Sequence, residues 1–233
     1  MKRYVLLATS MVLCFALHES ALAETQQLGF YASVKAGAGV AQTEDLEFNV
    51  LGTSNTVEGD DETDTVPVVG LAFGWDFYRS SAFPMRIEAE WTHMNDADFS
   101  WEADNTVGGF TTHDRFEAEV NADTLMLNGY YDFRNPSRFT PFIQAGLGLA
   151  ILKTDMRWIT NGADMGTIRQ TRVNFSAGMG AGLGIALSED WTLDASYRFT
   201  WLGPAGVDVE TTGYEVEPDI WRHDMLLGLR YAF

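Results

Sequence analysis

The most constraining feature of this sequence is a strict two-residue alternation that runs to its last residue. Read backwards from Phe233, Tyr231, Leu229, Leu227 and Met225 are apolar. Between them stand Ala232, Arg230, Gly228, Leu226 and Asp224, a small, polar and mixed set. A period of two belongs to a β-strand whose two faces meet different surroundings. The segment from Trp221 to Phe233 must therefore set its apolar face against lipid, a partner or a core supplied from earlier in the chain.

The same pattern recurs upstream. Leu28, Phe30, Ala32, Val34, Ala36, Ala38 and Val40 share one face of a first strand. Val69, Leu71, Phe73, Trp75 and Phe77 share one face of a second. Further strands are expected at 85–92, 124–133, 141–151, 174–185 and 191–201, which with the last makes eight. Connections after the even-numbered strands are short: Arg79-Ser80-Ser81, Arg134-Asn135-Pro136-Ser137 and Ser188-Glu189-Asp190. Those after the odd-numbered strands, 42–64, 95–115, 153–172 and 203–219, are long and polar. Short turns at one end, long loops at the other and an even strand count describe an up-and-down barrel of the bacterial outer membrane. The expected fold is all-β: an eight-stranded antiparallel transmembrane β-barrel with four long extracellular loops and short periplasmic turns.

Aromatics end the apolar faces, as an interfacial girdle requires. Trp75, Phe77, Tyr131, Phe133, Trp191, Tyr231 and Phe233 fall at one rim; Trp91, Trp201 and Trp221 fall at the other. A soluble barrel of equal strand number would bury its apolar side chains inside and show polar ones outside. No later stretch offers the roughly 18 continuous apolar residues of a spanning helix.

At the amino terminus, Lys2 and Arg3 precede an apolar run from Tyr4 to Leu17 and then Ala21-Leu22-Ala23. This is the form of a cleaved export signal, giving a signal peptide over 1–23 and a barrel domain over 24–233. Cys14, the single cysteine, lies inside that run, so the exported chain is expected to hold no disulfide and no thiolate site. The formal net charge of -18 rules against a nucleic-acid partner, which needs a basic surface.

Strand phase also sorts the charges. Lys35, Asp76, Arg86, Glu88, Glu90, Asp132, Asp194, Arg198, Arg222, Asp224 and Arg230 all fall on the face away from lipid. An outward base at the midplane would cost about 2–4 kcal/mol. Eight-stranded barrels are just wide enough inside for side chains to fill, and buried charges need partners. An ion-pair plug is expected, with Arg198 beside Asp224 and Asp194 beside Arg230. Glycines 146, 148, 178, 180, 182 and 184 form a bare inner wall that leaves room for long side chains from across the barrel, such as Arg86 or Tyr31. GMGAGLG is not a dinucleotide fingerprint, because no helix follows it.

With these strands placed, the sequence resembles the small outer-membrane barrels of the OmpA-like and opacity-protein superfamily. The resemblance is carried by Thr124-Leu125-Met126-Leu127-Asn128-Gly129-Tyr130-Tyr131-Asp132-Phe133, by Pro141-Phe142-Ile143-Gln144-Ala145-Gly146-Leu147-Gly148, and by Asp194-Ala195-Ser196-Tyr197-Arg198-Phe199. It implies that Leu229, Tyr231 and Phe233 form a carboxy-terminal signal read by the barrel-assembly machinery. It also implies a surface role: adhesin-like or antigen-like scaffold, structural protein or narrow pore. Outer-membrane lipid and lipopolysaccharide are the expected surroundings, with a host or cell-surface ligand at the loops.

The remaining candidates have plainer readings. Asp60, Asp61 and Asp64 could gather calcium, but their spacing is not that of an EF-hand, and a solvated acidic crown is the better account of 42–64. A lipid A-modifying enzyme would need a nucleophile and base side by side. His93 and His223 sit near the outer rim and His113 in a loop, so no catalytic, cofactor or metal site is expected.

Overall fold

The computed structural model describes residues 29–44, 47–50, 56–58, 62–107, 110–205, 207–209, 214–216 and 219–233. The proposed signal peptide, Leu28, Asp60 and Asp61 lie outside these residues. In chain order the elements are β1 (Phe30–Glu44), β2 (Glu47–Val50), β3 (Thr56–Glu58), β4 (Thr63–Asp76), α1 (Phe77–Ser81), β5 (Met85–Val107) and β6 (Phe110–Asp132). They continue with β7 (Phe139–Thr160), β8 (Ala163–Ala186), β9 (Trp191–Pro204), β10 (Val207–Val209), β11 (Tyr214–Val216) and β12 (Asp219–Ala232).

Eight of these strands close a barrel in the order β1-β12-β9-β8-β7-β6-β5-β4. All neighbours are antiparallel, and the ring shuts where Tyr31 faces Ala232 and Glu44 faces Asp219. Closure gives each strand a neighbour on both sides at the membrane level, the condition for crossing hydrocarbon with strands. The four short strands form a separate sheet, β10-β11-β2-β3, built from the first and last outer connections.

The periplasmic turns are fixed by local chemistry. Asp76 caps α1 by accepting a 2.9 Å bond from the Tyr78 amide, and Ala82 ends it in the left-handed region. Phe77 thus opens a helical turn and does not extend the second strand. In the next turn Asn135 Oδ1 accepts from the Ser137 amide at 2.9 Å, and in the third Ser188 Oγ accepts from the Trp191 amide at 3.1 Å. On the outer side, Asn161 and Gly162 both take positive φ between Thr160 and Ala163, the two-residue turn that suits a twisted hairpin.

The main departure from the sequence reading concerns two of the outer segments. Residues 95–107, 110–115, 153–160 and 163–172 are strand, where loops were expected. β5, β6, β7 and β8 run 23, 23, 22 and 24 residues, against 14 or 15 for β1, β4, β9 and β12. A membrane strand needs about 9–11 residues, so the central four continue outward as a tall sheet.

The reason is visible on β6. Up to Leu125 its outward residues are apolar, Leu127 being 64% exposed, while Met126, Asn128, Tyr130 and Asp132 turn inward. Beyond Asp123 the phase is kept but the chemistry reverses. Phe116, Ala118, Val120 and Ala122 are now the inward, buried side, and Arg115, Glu117, Glu119 and Asn121 face out. β7 reverses between Ile151 and Lys153, with Leu152 and Met156 buried above. β5 does the same after a bulge between Met94 and Ala97, turning Phe99 and Trp101 inward. Lipid outside demands apolar outward faces; water outside demands the opposite. The reversal marks the upper edge of the membrane. Below it the barrel is charged inside, and above it the interior is an apolar core of Val66, Val68, Met94, Phe99, Trp101, Phe116, Val120, Leu152, Met156, Leu202 and Ile220.

Candidate functional site

The barrel interior is built in tiers. At the periplasmic mouth, Arg79 of α1 donates to the Glu189 carbonyl at 2.5 Å and lies 3.7 Å from Asp190. Arg134 bonds Asp76 at 3.0 Å and Asp132 at 2.9 Å, with its guanidinium 4.5 Å over the Tyr78 ring. One tier in, Arg86 forks onto Asp132 through Nε and Nη2 at 3.0–3.1 Å. Its guanidinium packs 4.3 Å from the Tyr130 ring and 5.2 Å from Phe142. Arg230 donates to Asp194 at 3.3 Å and lies 5.3 Å over Tyr31.

The middle tier joins opposite walls. Lys35 Nζ meets Glu88 at 2.5 Å and Glu90 at 2.6 Å. Tyr130 donates to Glu88 at 2.7 Å, and Asn128 to Glu90 at 3.1 Å. Arg198 binds Glu90 with one arm and Asp224 at 3.2 Å with another. Arg222 Nε lies 2.8 Å from Asp224 Oδ1, an ion contact misaligned for a hydrogen bond, and Nη2 donates to Thr92 at 3.3 Å. Thr92 and Thr124 share a 2.5 Å bond just under the apolar tier.

All the inward charges read from strand phase therefore face the lumen, and none of Arg86, Glu88, Glu90, Arg198, Arg222 or Asp224 is more than 2% exposed. Arg134 is a member the sequence reading missed: it sits in a turn, and only the fold shows it reaching back to Asp76 and Asp132. It brings the basic groups of the network to six, equal to its six carboxylates, so the interior is electrically balanced. Tyr130, Asn128, Thr92 and Thr124 were also passed over, because uncharged inward residues give no special signal in an alternating strand. The glycines serve nearer neighbours than expected. A side chain on Gly182 would collide with Phe142, and one on Gly74 with the Tyr31 ring, both from the adjoining strand.

Leu229, Tyr231 and Phe233 face outward at the periplasmic end. Tyr231 packs 4.7 Å from Trp191 and 5.4 Å from Phe233, and the Phe233 amide donates to the Phe30 carbonyl at 3.0 Å. The terminal residues thus sit on the barrel seam.

The histidines lie elsewhere. His93 Nδ1 is 2.9 Å from Asp123, which Lys153 also reaches at 3.3 Å. His223 Nδ1 is 2.7 Å from the Tyr197 hydroxyl, and the His113 amide donates to Asn161 at 3.1 Å. Among the described residues no serine or threonine hydroxyl bonds to the His93 or His223 ring. Asp64, weighed above as a calcium ligand, accepts instead from the amides of Thr65 at 2.7 Å and Asp98 at 3.0 Å.

The family described as outer membrane protein beta-barrel domain matches residues 7–233. The chain belongs to this family. Its place is accordingly the outer membrane, which it crosses as an integral barrel. Among curated relatives, outer membrane protein PagN of Salmonella typhimurium is 32% identical over 222 residues, covering 88% of this chain and 90% of that one. Among solved structures, neisserial surface protein A is 16% identical, with the match covering 88% of this chain and 97% of that one, at a TM-score of 0.49. OprG from Pseudomonas aeruginosa is 14% identical, with coverages of 89% and 98% and a TM-score of 0.48.

Proposed function

We propose that this outer-membrane barrel is a sealed scaffold whose work is done by the sheet it holds above the membrane, as a surface-interaction protein of adhesin-like or antigen-like kind. The observation that carries the reading is the reversal of chemistry along β5, β6 and β7. A conducting barrel needs a continuous polar lumen. Among the described residues, the polar lumen is filled with ion-paired charges and an apolar core is stacked on it. Buried charges that each lie against an opposite charge also give the tall sheet a firm base.

The partner should meet the outer face of that sheet. Its β5–β6 side carries Asp96, Asp98, Glu102, Glu117 and Glu119, of which Glu102 and Glu117 have basic neighbours in Arg115 and Arg157. Basic partners are therefore favoured. The barrel-assembly machinery is a second partner, reading Leu229, Tyr231 and Phe233 during insertion. A binding screen on intact cells tests the surface role, comparing the full chain with a version whose β5–β6 hairpin is cut back to Met94 and Ala122. Loss of binding to basic surface ligands with the shortened hairpin is expected. Unchanged binding would contradict the assignment.

A further inference from the structure

The three periplasmic turns do different work. In the ring β1-β12-β9-β8-β7-β6-β5-β4, the β4–β5 turn that contains α1 stands half a ring from the β8–β9 turn. Arg79 of α1 reaches across the mouth between them. Its guanidinium donates to the Glu189 carbonyl at 2.5 Å and lies 3.7 Å from Asp190. The receiving turn is itself fixed to the seam, since the Ala232 amide donates to the Asp190 carbonyl at 3.0 Å.

The near side of α1 is anchored by other means. Asp76 caps the helix, the Asp76 amide donates to the Gly29 carbonyl at 2.7 Å, and Arg134 holds Asp76 while lying 4.5 Å over the Tyr78 ring. No residue of α1 is buried. An element that buries none of its side chains gains little from packing, so it is held by these polar contacts and is easily displaced. Its far end is also strained, because Ala82 takes a φ of 56°, in the left-handed region that favours glycine.

What lies beneath needs a cover. Asp76 and Asp132 are the last residues of β4 and β6, at the water-facing end of the barrel, yet both are buried. Arg86, Asp194 and Ser33, one step further in, are buried as well.

We propose that α1 is a hinged latch over the periplasmic mouth, pivoting on Asp76 and Ala82 and fastened across the lumen by Arg79. When Arg79 releases Glu189 and Asp190, a gap opens below β9, β12 and β1. Periplasmic water then reaches the cross-strand row of Ser33, Arg230 and Thr192. The apolar tier above stays in place, so an open latch wets the lower ion network without making a pore. The latch is independent of the surface-interaction role.

Thiol labelling of the folded full-length protein in detergent tests it. The reporter is Ser33→Cys on a Cys14→Ser background, treated with a small water-soluble methanethiosulfonate and read by mass. Slow modification is expected with Arg79 present, and Arg79→Ala should raise the rate at least about tenfold, as the open population rises. Arg138→Ala, which removes another base of the periplasmic turns, should leave the rate unchanged. Ser176→Cys, buried farther from the mouth on β8, should stay unreactive with or without Arg79→Ala, which separates an open latch from a loosened barrel. Heat-modifiable migration on gels reports folding of each variant. If Ser33→Cys does not fold, Thr192→Cys in the same row carries the same expectation. Equal rates for Arg79→Ala and Arg138→Ala, or faster labelling at Ser176→Cys, would overturn the latch.

Discussion

Arg198 on β9 and Glu90 on β5 belong to strands four places apart in an eight-strand ring, and their side chains meet across the barrel. Arg198 also holds Asp224, its neighbour on β12, at 3.2 Å. Through Glu90 the network continues to Lys35 on β1. One guanidinium therefore ties opposite walls together, and its loss should be felt in the whole barrel.

Removing one partner of a buried ion pair costs about 3–5 kcal/mol, because the other charge is left without compensation. Arg198→Met is expected to destabilise by the lower part of that range, since Lys35 and Arg222 still contact Glu90 and Asp224. Glu90→Gln should do likewise. The double variant should lose less than the sum of the two, as contacting residues do. Urea unfolding in detergent micelles, followed by gel mobility, measures all three; strict additivity would show that the pair is not coupled.

Single cysteines along β6, each carrying a spin label, should report the reversal directly. Labels at Leu125 and Leu127 are expected to be relaxed by oxygen in the bilayer, and labels at Glu119 and Asn121 by a water-soluble nickel chelate. The change should fall at Asp123. Lipid contact at Glu119 would move the membrane edge and undo the two-level account of the interior.

That reversal also explains what could be read from sequence. The membrane level was legible because lipid forces a long apolar phase, as in Leu125 to Phe133, and because charges such as Arg198 and Asp224 then fall inward by phase alone. Above Asp123 the alternation continues through Phe116, Ala118 and Val120, but a polar outward face looks like loop to a reading tuned to lipid. The register of β6 never changes there; only the solvent does. Partners across the barrel, such as Glu90 for Arg198, depend on strand tilt and ring order, which no local pattern carries. Arg134 needed the turn geometry as well.

Two outer carboxylates should titrate on opposite sides of the usual range. Asp96, foremost, raises the Glu119 carboxyl by its charge, and Asp98 and Asp155 add to it. Arg157 holds Asp164 below the usual range through a hydrogen bond. A raised carboxyl binds more protons folded than unfolded, so the contribution of Glu119 favours folding at low pH. That contribution falls as pH rises from about 4.3 through the folded value. Asp164 has the reverse sign: its contribution is present above about 3.9 and is lost as pH falls through its lowered folded value. Carbon NMR titration of the side-chain carboxyls checks both, and Asp96→Asn should lower the Glu119 midpoint. A Glu119 midpoint at or below the ordinary value would contradict the cluster.

Deleting Phe233 should impair assembly and leave ligand recognition in the surviving folded protein unchanged. The deletion removes an amide that bonds Phe30 across the seam and a ring packed on Tyr231. The readout is the amount of heat-modifiable protein in outer-membrane fractions. Normal levels would remove Leu229, Tyr231 and Phe233 from the role of an assembly signal.

Conductance in planar bilayers bears most directly on the sealed-scaffold reading. With the balanced ion network below and the apolar core above, folded protein should insert and give no single-channel steps at moderate voltage, and Arg198→Ala should not create a stable open level. Stable steps from the wild-type protein, abolished by changing Arg86 or Arg198, would show a conducting lumen and contradict it.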